Sequence, residues 1–400
     1  MRIIKLRVNQ LPEFLVISSI LIVSIFLFIT FFKEYNAHKH HVEYQKISSN
    51  NIRDRLIHEK QIYLLKKSVA ISPTNSDALF ELGKSYIDKM SYVKSNEEKY
   101  KSYNTAKDFF LKALVYKPTD GKHWARYAWH IGLNGETNEA IEYFKKAIFL
   151  QESDPFVHSL YARWCVNLVK SKIDFLDPAR CEEMNRNNQK GNNTIQYYDR
   201  KFINDISITA FLEKAQIEWD KAISFKATVN DATFNIIKHN SLGDLELIKC
   251  NINNAIGNYN AAGNKIMIAK CYYIKGNYNE TVNILNGIIN GSSANFGKYL
   301  PETRNLLNNI IKKDANNYRA LYCSGKIYNK LKQPRLALLD FKTVVKIDPK
   351  HIDTHLELAK IYRSNGQSDL AMEEYETVIS LNPNHKEALD LLSEALRNSD

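Results

Sequence analysis

Glycine and proline are scarce in this 400-residue chain, numbering only 14 and 9. So few breakers exclude a sheet-rich fold with many tight turns and favour long helices. Five cysteines are present, Cys165, Cys181, Cys250, Cys271 and Cys323, and no two form a CxxC pair. That spacing argues against a zinc or redox motif and predicts buried free thiols, with a Cys165–Cys181 bridge across one loop as the alternative. Also missing are a glycine-rich phosphate loop, a GxSxG elbow, an HExxH pair and an EF-hand loop. Histidines are scattered apart from His38, His40 and His41, and no pair of carboxylates stands out as acid and base. The expectation is therefore no catalysis, no cofactor and no resident metal. There is no Lys/Arg-dense recognition helix either, so nucleic acid is not expected. The net charge of +11, from 55 Lys+Arg against 44 Asp+Glu, is diffuse and suits an acidic partner or a membrane surface.

One long apolar run is present. Phe14 to Phe32 are 19 residues without a charge, and at about 1.5 Å per residue they reach about 28 Å, the depth of a bilayer's hydrocarbon core. The run ends in Thr30-Phe31-Phe32-Lys33, with no small-x-small cleavage site. The expectation is a single transmembrane helix at 14–32 behind a short tail at 1–13, followed by a polar stalk at 33–55 that carries the three histidines. Arg2, Lys5 and Arg7 on one side balance Lys33, Lys39 and Lys46 on the other, so the positive-inside rule hardly discriminates. The short leading tail favours its retention inside, which places the larger part on the extracytoplasmic, periplasmic side.

Beyond the run the chain repeats itself. Pro349 and Pro383 lie 34 residues apart, and between them Gly325 matches Ala359, Tyr328 matches Tyr362, Ala337 matches Ala371 and Phe341 matches Tyr375 at that same offset. Earlier units show the same order: Leu82-Gly83, Ala106, Phe110 and Ala113, then Tyr127-Ala128, Ala140, Phe144 and Ala147. Large residues three and four apart fall on one helix face, small ones let two helices approach, and proline ends each unit. Such a pair of helices buries its apolar face only by stacking on its neighbours.

These residues resemble the tetratricopeptide repeat family, most strongly over Asp77–Gln151 and Asn317–Pro383. The resemblance implies an all-α fold in which antiparallel helix pairs form a right-handed α-solenoid. The array divides into a part at 56–227, with insertions near 87–105 and 166–211, a divergent segment at 228–261, and a part at 262–400 that ends in a capping helix. Gln61–Pro73 reads as a lone second helix leading into the array, and Pro301–Ala315 as another second helix. The resemblance also implies ligand binding on the concave face, lined by the first helix of each pair. Residues that follow the small positions map there: Lys84, Trp129, Arg163, Lys270, Lys326 and Lys360, joined by Lys330 and Arg363 one turn on. Lys122 and Arg126 match the cationic pair with which some members clamp a chaperone-tail carboxylate, but Glu81 stands where that clamp has Asn. The function implied is a membrane-anchored scaffold that binds a protein partner, especially its acidic segments, during envelope assembly. An anionic polysaccharide or other acidic polymer is the alternative ligand, and an enzyme with a divergent insertion domain is the least favoured reading.

Overall fold

The computed structural model describes residues 11–48, 55–173, 176–189, 208–225 and 231–397. Arg2, Lys5 and Arg7, and much of the insertion expected near 166–211, lie outside these. The described residues form nineteen helices and no strand. They fall into two compact units: unit 1 holds the chain up to Cys165 together with Lys214–Thr228, and unit 2 holds Val166–Glu213 and Val229–Asp400.

Unit 1 is built from α1 (Leu11–Ser48), α2 (Arg55–Ile71), α3 (Ser76–Lys89), α4 (Asn96–Tyr116), α5 (Gly121–Leu133) and α6 (Thr137–Leu150), with most of α7 (Pro155–Lys172). Unit 2 contains α8 (Pro178–Gln189), and α9 (Ile208–Phe225) is shared by sequence between the two. Its array continues with α10 (Ala232–Ile248), α11 (Ile252–Ala261), α12 (Lys265–Ile274), α13 (Tyr278–Ile289) and α14 (Ser293–Lys313). It closes with α15 (Tyr318–Lys330), α16 (Pro334–Ile347), α17 (Ile352–Ser364), α18 (Ser368–Leu381) and α19 (Lys386–Arg397).

Small-against-large packing holds the pairs together. A Cβ placed on Gly83 would meet the Phe110 ring at 2.7 Å, and one on Gly325 would meet the Phe341 ring at 2.5 Å. The small position is thus a steric requirement of the ring opposite. Phe110, Phe144, Phe341 and Tyr375 are all sealed from solvent. Within a pair the chain turns at the second residue after the first helix, where Gly135, Gly276 and Gly366 have positive φ. Glycine adopts that conformation without a Cβ penalty.

Four expectations are corrected. The first is the polar stalk. Instead α1 continues unbroken to Ser48, with Ala37 and Tyr44 buried. Ser68 donates to the Ala37 carbonyl at 2.9 Å and Ser72 to Glu34 at 2.8 Å, so α2 pairs with α1 and is not a lone second helix. Ala37, His41 and Tyr44 recur at helical spacing, which keeps one face of α1 against its neighbour. The second correction concerns 228–261, where α10 and α11 form a pair of their own. There a Cβ on Gly243 would meet the Tyr259 ring at 2.6 Å, the same packing in different residues.

Third, the second helix read at Pro301–Ala315 is the latter part of a 21-residue helix, with Pro301 inside it. Proline removes one hydrogen bond without ending the helix. Fourth, Cys181 is bonded to Cys250, and Cys165 is a buried free thiol. The folded chain brings together residues 69 apart in sequence, which local spacing does not reveal.

Among the described residues no helix is long and apolar enough to cross a membrane. The apolar run at 14–32 lies within α1, and its side chains at 14–18 and 20 fall outside the described set. Large apolar side chains from Leu21 to Phe32 are exposed, Phe31 at 71%.

Candidate functional site

In unit 1 the first helices of successive pairs line a hollow. Asn75 starts α3 by accepting a hydrogen bond from the Ala78 N–H at 3.0 Å. Asp77, Phe80, Glu81 and Lys84 then follow at intervals of three and four and share one face. Asp120 starts α5 in the same manner, accepting from the N–H groups of Lys122 and His123, and four residues beyond Lys122 comes Arg126. Asn75, Asp77, Phe80, Glu81, Lys84 and Arg126, together with His38 and His41 of α1, border a cavity of about 690 Å³. Lys84 and Arg126, both expected on the inner wall, are thereby brought to one place.

Two carboxylates and two cations border this hollow, but the pairing among them leaves Arg126 out. Asp77 is paired with Lys117 at 2.8 Å. Glu81 accepts from the Tyr44 hydroxyl at 2.7 Å and lies 3.7 Å from Lys84. Arg126 has no hydrogen bond or ion pair with the described residues; its guanidinium rests 5.9 Å from the Phe80 ring and 5.2 Å from the Phe156 ring. Aromatic faces orient a guanidinium while leaving its N–H fork free for a carboxylate. Burial, reinforced by Lys84 and Arg126, pushes the His130 imidazole down to about 4, so it stays neutral beside them. Burial also lowers His41, against the pull of Glu81 and Asp77.

The other expected residues of unit 1 are engaged elsewhere. Arg163 lies over the Trp129 ring at 5.1 Å, so these two contact each other, and burial lowers the Arg163 pKa. Lys122 forms an ion pair with Asp154 at 3.0 Å and is not on the border of the hollow. With Glu81 in place of Asn, the carboxylate clamp has neither its Lys nor its amide.

In unit 2, Lys270 is half-buried in a separate pocket near Glu302, and desolvation lowers its pKa. Lys326 donates to Asn286 at 3.3 Å and to Asn290, and Lys330 donates to the Ile289 carbonyl. Both therefore serve the C-terminal end of α13, where a helix favours positive charge. Lys360 pairs with Glu387 at 2.6 Å and Arg363 with Glu394 at 3.0 Å, both acids coming from α19. The cations predicted on this unit's inner face are largely matched within the unit.

Sequence reasoning misses His38, His41 and Tyr44, which it assigns to the stalk, and the row Glu302, Asn305 and Asn309. Helical spacing is the available signal in both stretches. Among the described residues no group of three or more His, Cys, Asp or Glu side chains is arranged to hold a metal ion.

Residues 328–395 match the profile of the tetratricopeptide repeat family. No curated protein matches the chain in sequence. Solved structures to which it is similar include a human IFIT1 dimer with PPP-AAAA, at 13% identity, covering 82% of this chain and 70% of that one, with a TM-score of 0.43. Another is YrrB, a TPR protein with an unusual peptide-binding site, at 16% identity over 62% of this chain and 96% of that one, TM-score 0.23. A third is TTC0263, a thermophilic TPR protein of Thermus thermophilus, at 16% identity over 47% of this chain and 92% of that one, TM-score 0.25.

Proposed function

We propose that this array of tetratricopeptide-type helix pairs is a membrane-tethered scaffold that holds a protein partner on its inner faces, serving the assembly of an envelope complex. The observation that carries the reading is the hollow of unit 1, where Arg126 is oriented by two rings and left without an anionic partner among the described residues. A stacked, unpaired guanidinium beside Lys84 suits the carboxylates of an acidic segment. The polysaccharide alternative draws less support, because a long polyanion needs a run of free cations, and Lys360 and Arg363 are already paired.

Exposed apolar side chains around α1 from Leu21 to Phe32 support the tether. The bond between Cys181 and Cys250 supports an oxidising, extracytoplasmic location for unit 2. The test is cross-linking of the full chain in native membranes, followed by identification of what is captured. The expected result is a partner whose recovery falls with added salt and is lost in R126E. Recovery unchanged by R126E refutes the groove. A chain lacking residues 1–33 that still sediments with membranes refutes the tether.

A further inference from the structure

We propose that the insertion after α7 builds a second binding site, inside unit 2, that takes an extended polypeptide segment and is kept open by the bond between Cys181 and Cys250. The proposal rests on the scaffold reading and adds to it a ligand class and a condition for binding.

The pocket has a volume of about 370 Å³, within the range of small-ligand sites. Three elements make its walls. Leu176, Asp177 and Pro178, just ahead of and at the start of α8, form one side; Lys270, Tyr273 and Ile274 of α12 form the second; Glu302, Asn305, Leu306 and Asn309 of α14 form the third. Repeat helices provide only two of these sides. The first is supplied by residues outside the repeat pattern, so an uninterrupted array has a shallower groove here.

The insertion wall is pinned at one turn of helix. Asp177 caps α8 by accepting from the Ala179 N–H at 3.0 Å. Arg180 is buried and donates to the Ile248 carbonyl at 2.7 Å and the Leu247 carbonyl at 3.0 Å, at the C-terminal end of α10's hydrogen-bond ladder. Cys181 is bonded to Cys250, just past that same end. One covalent and two charge-assisted links thus hold α8 to α10 within four residues of the pocket wall. Breaking the disulfide removes the one covalent link between α8 and the end of α10.

Tyr273 of α12 is engaged by Lys313, but four other polar groups that line the pocket from α12 and α14 are not. Lys270, Glu302, Asn305 and Asn309 have no hydrogen bond or ion pair with the described residues. Each asparagine amide offers both a donor and an acceptor, the same complement as a peptide group. Asn305 and Asn309 are four apart on one helix, which sets their Cβ atoms about 5–6 Å apart. Alternate peptide groups of an extended chain are separated by about 6.6 Å, so the two amides are spaced to meet every second one. Leu306 and Ile274, both nearly buried, with Leu176 and Pro178 opposite, offer an apolar slot between them. Lys270 and Glu302 give the slot charges of opposite sign. An extended peptide with one apolar side chain fits this combination.

The experiment uses the full-length oxidised chain in detergent and a phage-displayed dodecapeptide library as the probe. An enriched peptide is synthesised with a fluorophore and its affinity measured by anisotropy. We expect enriched peptides to carry an apolar residue and their affinity to fall at least tenfold in N305A/N309A. A fall at least as large is expected on reduction with dithiothreitol, restored on reoxidation. Asn305 is exposed and Asn309 partly so, and the double variant should melt like the wild type, so its effect does not depend on unfolding. The proposal is overturned if no peptide is enriched over the N305A/N309A chain, or if reduction leaves the affinity unchanged. Binding lost in R126E but kept in N305A/N309A also overturns it, and leaves the scaffold reading standing. Binding of dextran sulfate without any enriched peptide overturns it as well.

Discussion

Replacing Gly325 by alanine pits two effects of opposite sign against each other. Glycine in a helix interior is about 1 kcal/mol less favourable than alanine, and Gly325 lies inside the 13-residue helix α15. Propensity alone therefore predicts that G325A is stabilising. The new methyl, however, would lie 2.5 Å from Phe341 Cε1 and 2.8 Å from Cδ1. Ordinary carbon contacts begin near about 3.5 Å, so the ring has to retreat by about 1 Å. Phe341 is fully buried and packs against Tyr322 at a centroid distance of 5.9 Å. Overfilling such a core costs about 1–3 kcal/mol, which equals or exceeds the propensity gain.

The control is G257A in α11, where a Cβ meets nothing within 4 Å. There only propensity acts, and up to about 1 kcal/mol of stabilisation is expected. The difference between the two variants isolates the steric cost, about 1–3 kcal/mol. Repeat arrays open locally, so the assay is native-state amide hydrogen exchange. Protection of α15 and α16 should fall in G325A relative to the change in α11 for G257A, by about tenfold for each 1.4 kcal/mol of difference. If G325A raises protection as much as G257A does, small-against-large packing is not what fixes the small position.

Further predictions use other features. Hydrogen bonds that His355 donates to Glu374 and, against some desolvation, to the Pro349 carbonyl raise its pKa above the usual 6.5. The folded state then holds a proton that the unfolded chain gives up, so this contribution is complete below about pH 6.5 and is lost as pH rises through the higher folded value. Exchange protection at α17 and α18 should fall between neutral and alkaline pH, and E374Q should weaken that pH response, since Glu374 is the largest of its causes. His130 has the opposite sign: its pKa is held down to about 4 by burial, so α5 should lose protection as pH drops from about 6.5 toward that value. Severing the Cys181–Cys250 bond releases a separation of 69 residues. Loop-closure entropy puts the loss at about 4 kcal/mol, and typical disulfides give about 2–4. Urea unfolding of C181A/C250A, followed by exchange at α8 and α10, checks it; protection equal to that of the wild type would refute the staple.

The helix pairs can be read in the chain itself because their rule is local. Gly325 and Phe341, Ala359 and Tyr375, and Ala128 and Phe144 are each 16 residues apart, one helix and one turn, so the order of residues is enough to place the small side chain against the ring. Gly243 and Tyr259 keep that same offset, and the pair at 232–261 escapes notice only because its other signature residues differ. The packed continuation of α1 is hidden for a related reason: a face made of Ala37, His41 and Tyr44 reads as polar until α2 is seen against it.

Other features depend on distance in three dimensions, which the order of residues does not specify. That Lys360 and Arg363 are paired follows from the packing of α19 beside α17, and that Arg126 lies against Phe80 and Phe156 follows from the packing within unit 1. That Cys181 meets Cys250, and that the insertion walls a pocket with α12 and α14, follows from a contact across 69 residues. Periodicity reports which face of a helix is buried; which charges meet on that face depends on the neighbour that tertiary packing brings to it.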